Sequence, residues 1–290
     1  MTAHDQPHFR FRVVDQVTDA GADLNEDGLV VAGSEAWVVD GASGLADERL
    51  TPGASDAHWL MERVTTHLGA GSPIHPVDKL TLVADLVYRD FDALNLPPRA
   101  QQYEYPSASL VGCAFDGRAL SVVRLGDCTL LVQPVDGGPV HKFPRSPLRN
   151  LDDAVVAEMS DQQRQAGMTG TDAYRTALPH LRANRDLINE ADGYPALTVG
   201  KNRKFTPDVL NIPITRPMNG LLCSDGFWRL VETFGLYSED SLLGACVQEG
   251  LAALVAKLRA AEQSDPDGQL YPRLKASDDA TAIVFSVTSV

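Results

Sequence analysis

Cysteine, histidine and basic residues are all scarce or scattered in this chain, and each shortage excludes a class of function. Its 290 residues include four cysteines, Cys113, Cys128, Cys223 and Cys246, with no CxxC pair and three of them inside apolar runs. That pattern excludes a disulfide framework or a zinc knuckle and reads as small buried hydrophobes in a reducing compartment. The seven histidines are dispersed and show no HExxH spacing for zinc. There is no GxSxG elbow for a serine hydrolase and no GxxxxGK[ST] loop for a nucleotide. Bases number 25 against 39 acids, a formal charge of −14. Such a surface repels nucleic-acid backbones and anionic lipid heads, so neither partner is expected. No apolar stretch is long enough to span a bilayer, and Met1 to Arg12 is polar, without the apolar centre of a secretory signal. The expectation is a cytoplasmic protein.

What remains is ordinary globular usage, 44% hydrophobic and 22% charged, in a chain long enough to bury a sizeable core. Short β-branched or alternating runs at Phe9–Val17, Gly28–Ala32 and Ala36–Asp40 read as strands. Apolar residues then recur at helical spacing over about Ser55–Leu68 and Pro76–Leu94. Ser107–Gln133 reads as three antiparallel strands joined at Asp116-Gly117 and Gly126-Asp127. From Pro147 to about Leu187 the signal is helical but polar, as in an insertion over the surface. A strand at Met218–Ser224, a helix-rich stretch over Phe227–Glu262, a loop over Ser264–Ser277 and a last strand at Thr281–Val287 close the chain. Strands and helices are segregated, so the expected class is α+β, with two antiparallel sheets and helices outside them.

Asp-Gly occurs at Asp27, Asp40, Asp116, Asp136, Asp192, Asp225 and Asp267. Most such pairs are turns, and Asp116-Gly117, flanked by alternating strands, fits that reading. Asp40 and Asp225 differ: AWVVD and GLLCSD each end an apolar strand on an acid. Asp278 opens into the apolar TAIVFSV, and Asp27 immediately precedes GLVVA. Four acids from distant parts of the chain therefore sit at strand ends, where a packed sandwich can gather them at one edge. Gathered carboxylates repel unless protons or cations neutralise them. Oxygen ligands without histidine or cysteine suit hard cations such as Mg²⁺ or Mn²⁺. Two such ions ~3.5–4 Å apart would activate a shared water for hydrolytic phosphoryl transfer.

In this context the motifs resemble those of the PPM (protein phosphatase 2C-like) metal-dependent serine/threonine phosphatases, and they occur in that family's order. The segments are Asn25-Glu26-Asp27; Val38-Val39-Asp40-Gly41-Ala42-Ser43-Gly44; Pro106-Ser107-Ala108-Ser109 with Arg124-Leu125-Gly126-Asp127; Leu222-Cys223-Ser224-Asp225-Gly226-Phe227-Trp228; and Asp278-Asp279-Ala280-Thr281-Ala282-Ile283-Val284. The resemblance covers nearly the whole chain. It implies a four-layer αββα sandwich forming a single domain over 1–290, with a flap-like insertion at about 147–210. It also implies a Mn²⁺ or Mg²⁺ site of two ions at one edge, and in many members a third, looser ion. Asp40 takes the bridging position with the Gly41 carbonyl beside it. Asp225 and Asp278 complete the second metal's shell, Glu26 and Asp27 hold a metal or its waters, and Asp127 matches the acid of the third ion. The implied catalytic set is Asp40, Asp225 and Asp278, acting through metal-activated water on a phosphoprotein substrate.

Three departures from that pattern stand out. Ala22 stands where many members have a phosphate-gripping arginine, which leaves Arg124, next to the Asp127 turn, as a weak phosphate-binding candidate beside its plainer reading as a strand residue. Ala42 follows the Asp-Gly where eukaryotic members often carry a histidine. Asp279 replaces the usual asparagine and adds negative charge. These departures motivate a second reading, a pseudophosphatase that binds a phosphoprotein or partner without turnover. A calcium loop starting at Asp23 is disfavoured, because its twelfth position is Ser34 and its flanks read as strands. Substrate, oligomeric state and partner kinase are not readable from the chain.

Overall fold

The computed structural model describes residues 8–70 and 74–290; the start of the polar N-terminal stretch and three residues of the link before Pro76 lie outside them. β1 (Phe9–Asp19), β2 (Asp27–Ala32) and β3 (Glu35–Ala42) lead into helices α1 (Asp56–Ala70) and α2 (Pro76–Asp92). The meander β4 (Ser107–Phe115), β5 (Ala119–Leu125) and β6 (Thr129–Pro134) follows. Next come α3 (Pro147–Ala166), α4 (Gly170–Asp186), the two-residue β7 (Leu197–Thr198), β8 (Asp208–Pro213) and β9 (Met218–Cys223). The chain ends with α5 (Asp225–Glu232), α6 (Glu239–Glu249), α7 (Leu251–Ser264) and β10 (Ala280–Ser289).

All strand pairings are antiparallel and form two sheets, one ordered β1-β10-β9-β6 and the other β2-β3-β4-β5-β8, with β7 hydrogen-bonded to the start of β4. Side-chain alternation along each strand divides the core. In β3, Ala36 and Val38 face the second sheet, where they meet Leu222, Ile283 and Phe285. Trp37 and Val39 face outward and pack on Leu60, Val64 and Leu68 of α1 and Leu80, Val83 and Val87 of α2. In β10, Ile283, Phe285 and Val287 point inward, while Ala282 and Val284 meet Phe227, Leu242, Leu254 and Leu258 of the last three helices. The result is the α+β, four-layer αββα sandwich. The four cysteines are free and buried in these layers.

The insertion agrees with the sequence reading over its helical part and departs from it at its end. Its polar stretch forms a helix hairpin, α3 and α4, with a small core of Val155, Met159, Ala173 and Ala177. Ser146 caps α3, and Gly167, at φ 64°, ends it in the left-handed conformation. The stretch to about residue 210 also runs into strand β8, whose register with β5 pairs Val123 with Val209. β8 is an edge strand with one fully buried residue, Ile212, so its hydrophobic signal is weak.

Two close approaches seat the layers. Gly112 lies opposite Trp37 across β3 and β4, and a Cβ there would stand 2.0 Å from the indole. Gly220 lies opposite Phe285 in the other sheet and would meet its ring at the same distance. Each glycine accommodates the ring of its cross-strand partner. Lys79 of α2 is almost fully buried, and its ammonium reaches Glu35 Oε2 at 2.5 Å, pinning the helix layer to β3. Lys79→Ala would leave Glu35 as an uncompensated buried charge and is expected to cost about 3–5 kcal/mol in urea unfolding. Pairing Lys79→Met with Glu35→Gln should recover most of that loss, because neither residue then carries charge.

Candidate functional site at the sheet edge

The strand registers bring the predicted acids together. Asp27 pairs with Asp40 across β2 and β3, and Asp40 pairs with Ser109 across β3 and β4. The Ser109 hydroxyl donates to Asp127 Oδ1 at 2.8 Å in the β5–β6 turn. Gly126 is required in that turn twice over: its φ is +75°, and a Cβ would lie 2.0 Å from Ser109 Oγ. In the other sheet, fully buried Ser224 ties the end of β9 to β10: its N–H donates to the Thr281 carbonyl at 2.9 Å, and Thr281 N–H donates to Ser224 Oγ at 3.0 Å. That lock sets Asp225, the first residue of α5, beside Asp278, which precedes β10.

Asp279 has a different position from the one its charge suggested. Its Oδ1 accepts from Gly21 N–H at 2.8 Å and its Oδ2 from Glu26 N–H at 2.6 Å, so both oxygens hold the β1–β2 loop. An asparagine offers one carbonyl oxygen and could accept only one of these two bonds. Glu26 in turn accepts Gly41 N–H on its backbone carbonyl at 3.1 Å, while its carboxylate accepts from Ser43 and Ser55 hydroxyls.

A cavity of about 630 Å³ opens over this edge. Asp40, Gly41, Asp127, Asp225 and Asp278 line it; Asp27 and Glu26 lie behind them. Its far wall is the helix hairpin. Arg149, Asp152, Asp153 and Val156, at i, i+3, i+4 and i+7, share one face of α3, and Arg185 projects from α4. These cavity residues were missed by sequence reasoning, because charges in a polar helix read first as a solvated face.

Electrostatics dominates the site. Burial pushes the Asp27 and Asp40 carboxyls well above the ordinary range, and the neighbouring acids push the same way. Burial would raise Asp225 too, but Arg149, Arg229 and a hydrogen bond from Asp40 overcome it and hold its carboxyl below the ordinary value. Asp40 and Asp225 are thus pushed in opposite directions, the first by burial and its acidic neighbours, the second by Arg149 and Arg229. Burial raises Asp127, against the opposing pull of Arg149, whose Nε stands 3.3 Å from Oδ2. Asp278 receives Arg229 Nη2 at 2.7 Å on one oxygen and Lys275 Nζ at 2.9 Å on the other. Arg185 makes no direct salt bridge among the described residues, though Asp152 lies within its field; its Nη1 donates to the Ser43 carbonyl at 3.3 Å and the Ser107 hydroxyl at 3.0 Å. Arg149 Nη2 is buried without a hydrogen-bond partner. Arg124, by contrast, is buried against Asp208, with Nε at 3.0 Å, and stacks on Phe143; it does not line this cavity.

The donor set at this edge has the chemistry of a hard-cation site. Asp27, Asp40 and Asp225 are oxygen donors that repel one another, and Asp27 Oδ2 is buried with no partner of any kind. Such a set suits a hard cation. Asp127 and Asp278 are already engaged by side-chain cations. Among the described residues no three acidic, histidine or cysteine side chains converge closely enough to enclose an ion as they stand.

No protein-family model matches the sequence, and no curated protein matches it. Solved structures do. The serine/threonine phosphatase PstP/Ppp of Mycobacterium tuberculosis aligns over 98% of this chain and 100% of its own at 17% identity and TM-score 0.55. The PstP catalytic domain in complex with two manganese ions aligns over 97% and 99% at 16% identity and TM-score 0.54. The PPM Ser-Thr phosphatase MsPP of Mycobacterium smegmatis, in complex with cacodylate, aligns over 96% and 99% at 19% identity and TM-score 0.51. The fold of this chain is thus the PPM phosphatase fold. Among the described residues no helix is long and apolar enough to cross a membrane.

Asp152, on the cavity face of α3, has its carboxyl pushed up to about 7 by burial, with Asp127 and Asp225 adding and Arg149 and Arg185 opposing. Between its unfolded value near 4 and about 7, the folded protein keeps a proton that the unfolded chain releases. Stability in EDTA should therefore fall as pH rises through that window and level off above it. Asp152→Asn is expected to remove on the order of 2–4 kcal/mol of the fall, read from melting temperatures between pH 4 and 8.

Proposed function

We propose that this chain, built on the PPM fold, is a metal-dependent phosphatase that hydrolyses phosphoserine and phosphothreonine in proteins. The domain would extend over 1–290, with the α3–α4 hairpin as the flap beside the site. The observation that carries this reading is the edge where Asp40, Asp127, Asp225 and Asp278 line one cavity, with Asp27 paired to Asp40 behind them, five acids from five separate segments. PstP, of the same fold, has been solved with two manganese ions.

In this reading Asp27, Asp40 and Asp225, with the Gly41 carbonyl, would hold Mn²⁺ or Mg²⁺. When bound, such an ion would supply a water that ionises near neutral pH and would offset charge on phosphoryl oxygens. Glu26 positions the site through its backbone bond to Gly41 and its side-chain bonds to Ser43 and Ser55. Ser109 and Arg149 orient Asp127. A dianionic substrate entering so acidic a cavity needs local positive charge. Arg185, which makes no salt bridge among the described residues, would supply it from the flap, in place of the arginine missing at Ala22.

The second reading is a pseudophosphatase that binds phosphoproteins without turnover. Its support is the capture of Asp278 by Arg229 and Lys275. Hydrolysis of p-nitrophenyl phosphate and of a phosphothreonine peptide, with Mn²⁺ or with EDTA, separates the two. The phosphatase should release phosphate only with metal, and Asp40→Asn should lower kcat by more than about 100-fold with the fold intact. No release under any metal from folded protein would favour the binding module. Arg185→Ala should raise KM by roughly 10- to 100-fold, the worth of one hydrogen bond to a charged group, with a smaller effect on kcat. An unchanged KM would exclude Arg185 from phosphate binding.

A further inference from the structure

Arg229 sits one helical turn after Asp225 on α5, so the two side chains share a helix face. That face turns toward the acidic edge, and Arg229 is 6% exposed. Its Nη2 donates to Asp278 Oδ2 at 2.7 Å; its Nη1 stands 3.3 Å from both Glu262 Oε1 and the Lys275 carbonyl. Glu262, 2% exposed, is held from the other side by Arg259 Nη1 at 2.7 Å. Arg259 also donates to the Asp278 carbonyl at 2.7 Å and to Asp19 Oδ1 at 2.7 Å. Arg229 therefore cannot swing away from Asp278 without leaving two buried carboxylates short of a partner, which a low-dielectric interior penalises heavily. Lys275 occupies the remaining Asp278 oxygen.

We infer that Arg229 is a built-in counter-ion at Asp278, so that the site takes one divalent cation, among Asp27, Asp40 and Asp225, where the sequence resemblance implied two. The inference rests on the proposed function for the presence of a metal, and it concerns the number of ions. A second ion against Asp278 would lie beside a fixed guanidinium and would have to displace both of that carboxylate's partners. Asp127 is similarly committed, to Ser109 and Arg149. The unpartnered, buried Oδ2 of Asp27 lies on the other side, with Asp40 and Asp225.

The test is a count of Mn²⁺ bound to the full chain, by equilibrium dialysis with metal analysis and by calorimetry, alongside the phosphatase assay. One ion per chain is expected. Asp278→Asn should leave both the count and Kd within about threefold of wild type, while Asp40→Asn should weaken binding at least 100-fold. Arg229→Leu, checked for folding by circular dichroism, should uncover Asp278 and raise the count to two. Two comparably tight ions in the wild type, loss of the ion in folded Asp278→Asn, or an unchanged count in folded Arg229→Leu would each overturn the inference. The wild-type and Asp278→Asn counts decide the matter even if Arg229→Leu does not fold. One bound ion without phosphate release would retain this inference and remove the phosphatase reading. No bound manganese would remove the single-ion site, and the assay would then judge catalysis separately.

Discussion

Like charges gathered at the edge of a low-dielectric sandwich have to be neutralised, and most of what is distinctive in this molecule follows from how that is done. Two antiparallel sheets bring strand ends from across the chain to one rim, and those ends carry aspartates. In water such a group of carboxylates would be tolerable. Behind buried Ser224 and Thr281, and beside fully buried Val38 and Val39, it requires protons, side-chain cations or a metal. Arg149 meets Asp127, Arg229 with Lys275 meets Asp278, and Arg149 and Arg229 together hold the Asp225 carboxyl low.

The surrounding architecture serves this arrangement. Asp279 uses both oxygens to hold the loop carrying Glu26, and Glu26 holds Gly41 next to Asp40. Glycines allow the required close approaches: a Cβ on Gly226 would lie 2.0 Å from the Asp279 carbonyl oxygen, and one on Gly21 would meet the Asp278 backbone at 2.3 Å. The helix hairpin carries the cations of the opposite wall, so one inserted element supplies both the enclosure and much of its positive charge. An acidic protein thereby acquires a cavity lined by guanidinium groups as well as carboxylates.

The acids were legible because each joins two strong local signals, an apolar strand and an abrupt charged end. Asp40 after AWVV and Asp225 after GLLCS are of this kind, and their order along the chain brought the phosphatase resemblance with it. The sandwich was legible for a related reason: segregated strand and helix periodicities permit few layer arrangements. Arg149, Asp152 and Arg185 were not legible. In a polar helix a charge facing a cavity and a charge facing water have the same local sequence signature, and only the packing of Val155, Met159, Ala173 and Ala177 decides which face turns inward. Strand β8 was missed because an edge strand with one buried residue carries little hydrophobic alternation.

The chain by itself determined the class of fold, the position of the acids at strand ends and the hard, all-oxygen character of their donors, because these depend on residue type and on periodicities spanning a few neighbours. Tertiary structure decided which charges compensate which. Asp278 and Arg229 are 49 residues apart, Arg124 turned to Asp208 across 84, and Asp279 reached Gly21 across 258. Electrostatic pairing falls off with distance in space and with exposure to water, and both are set only when the two sheets close on each other.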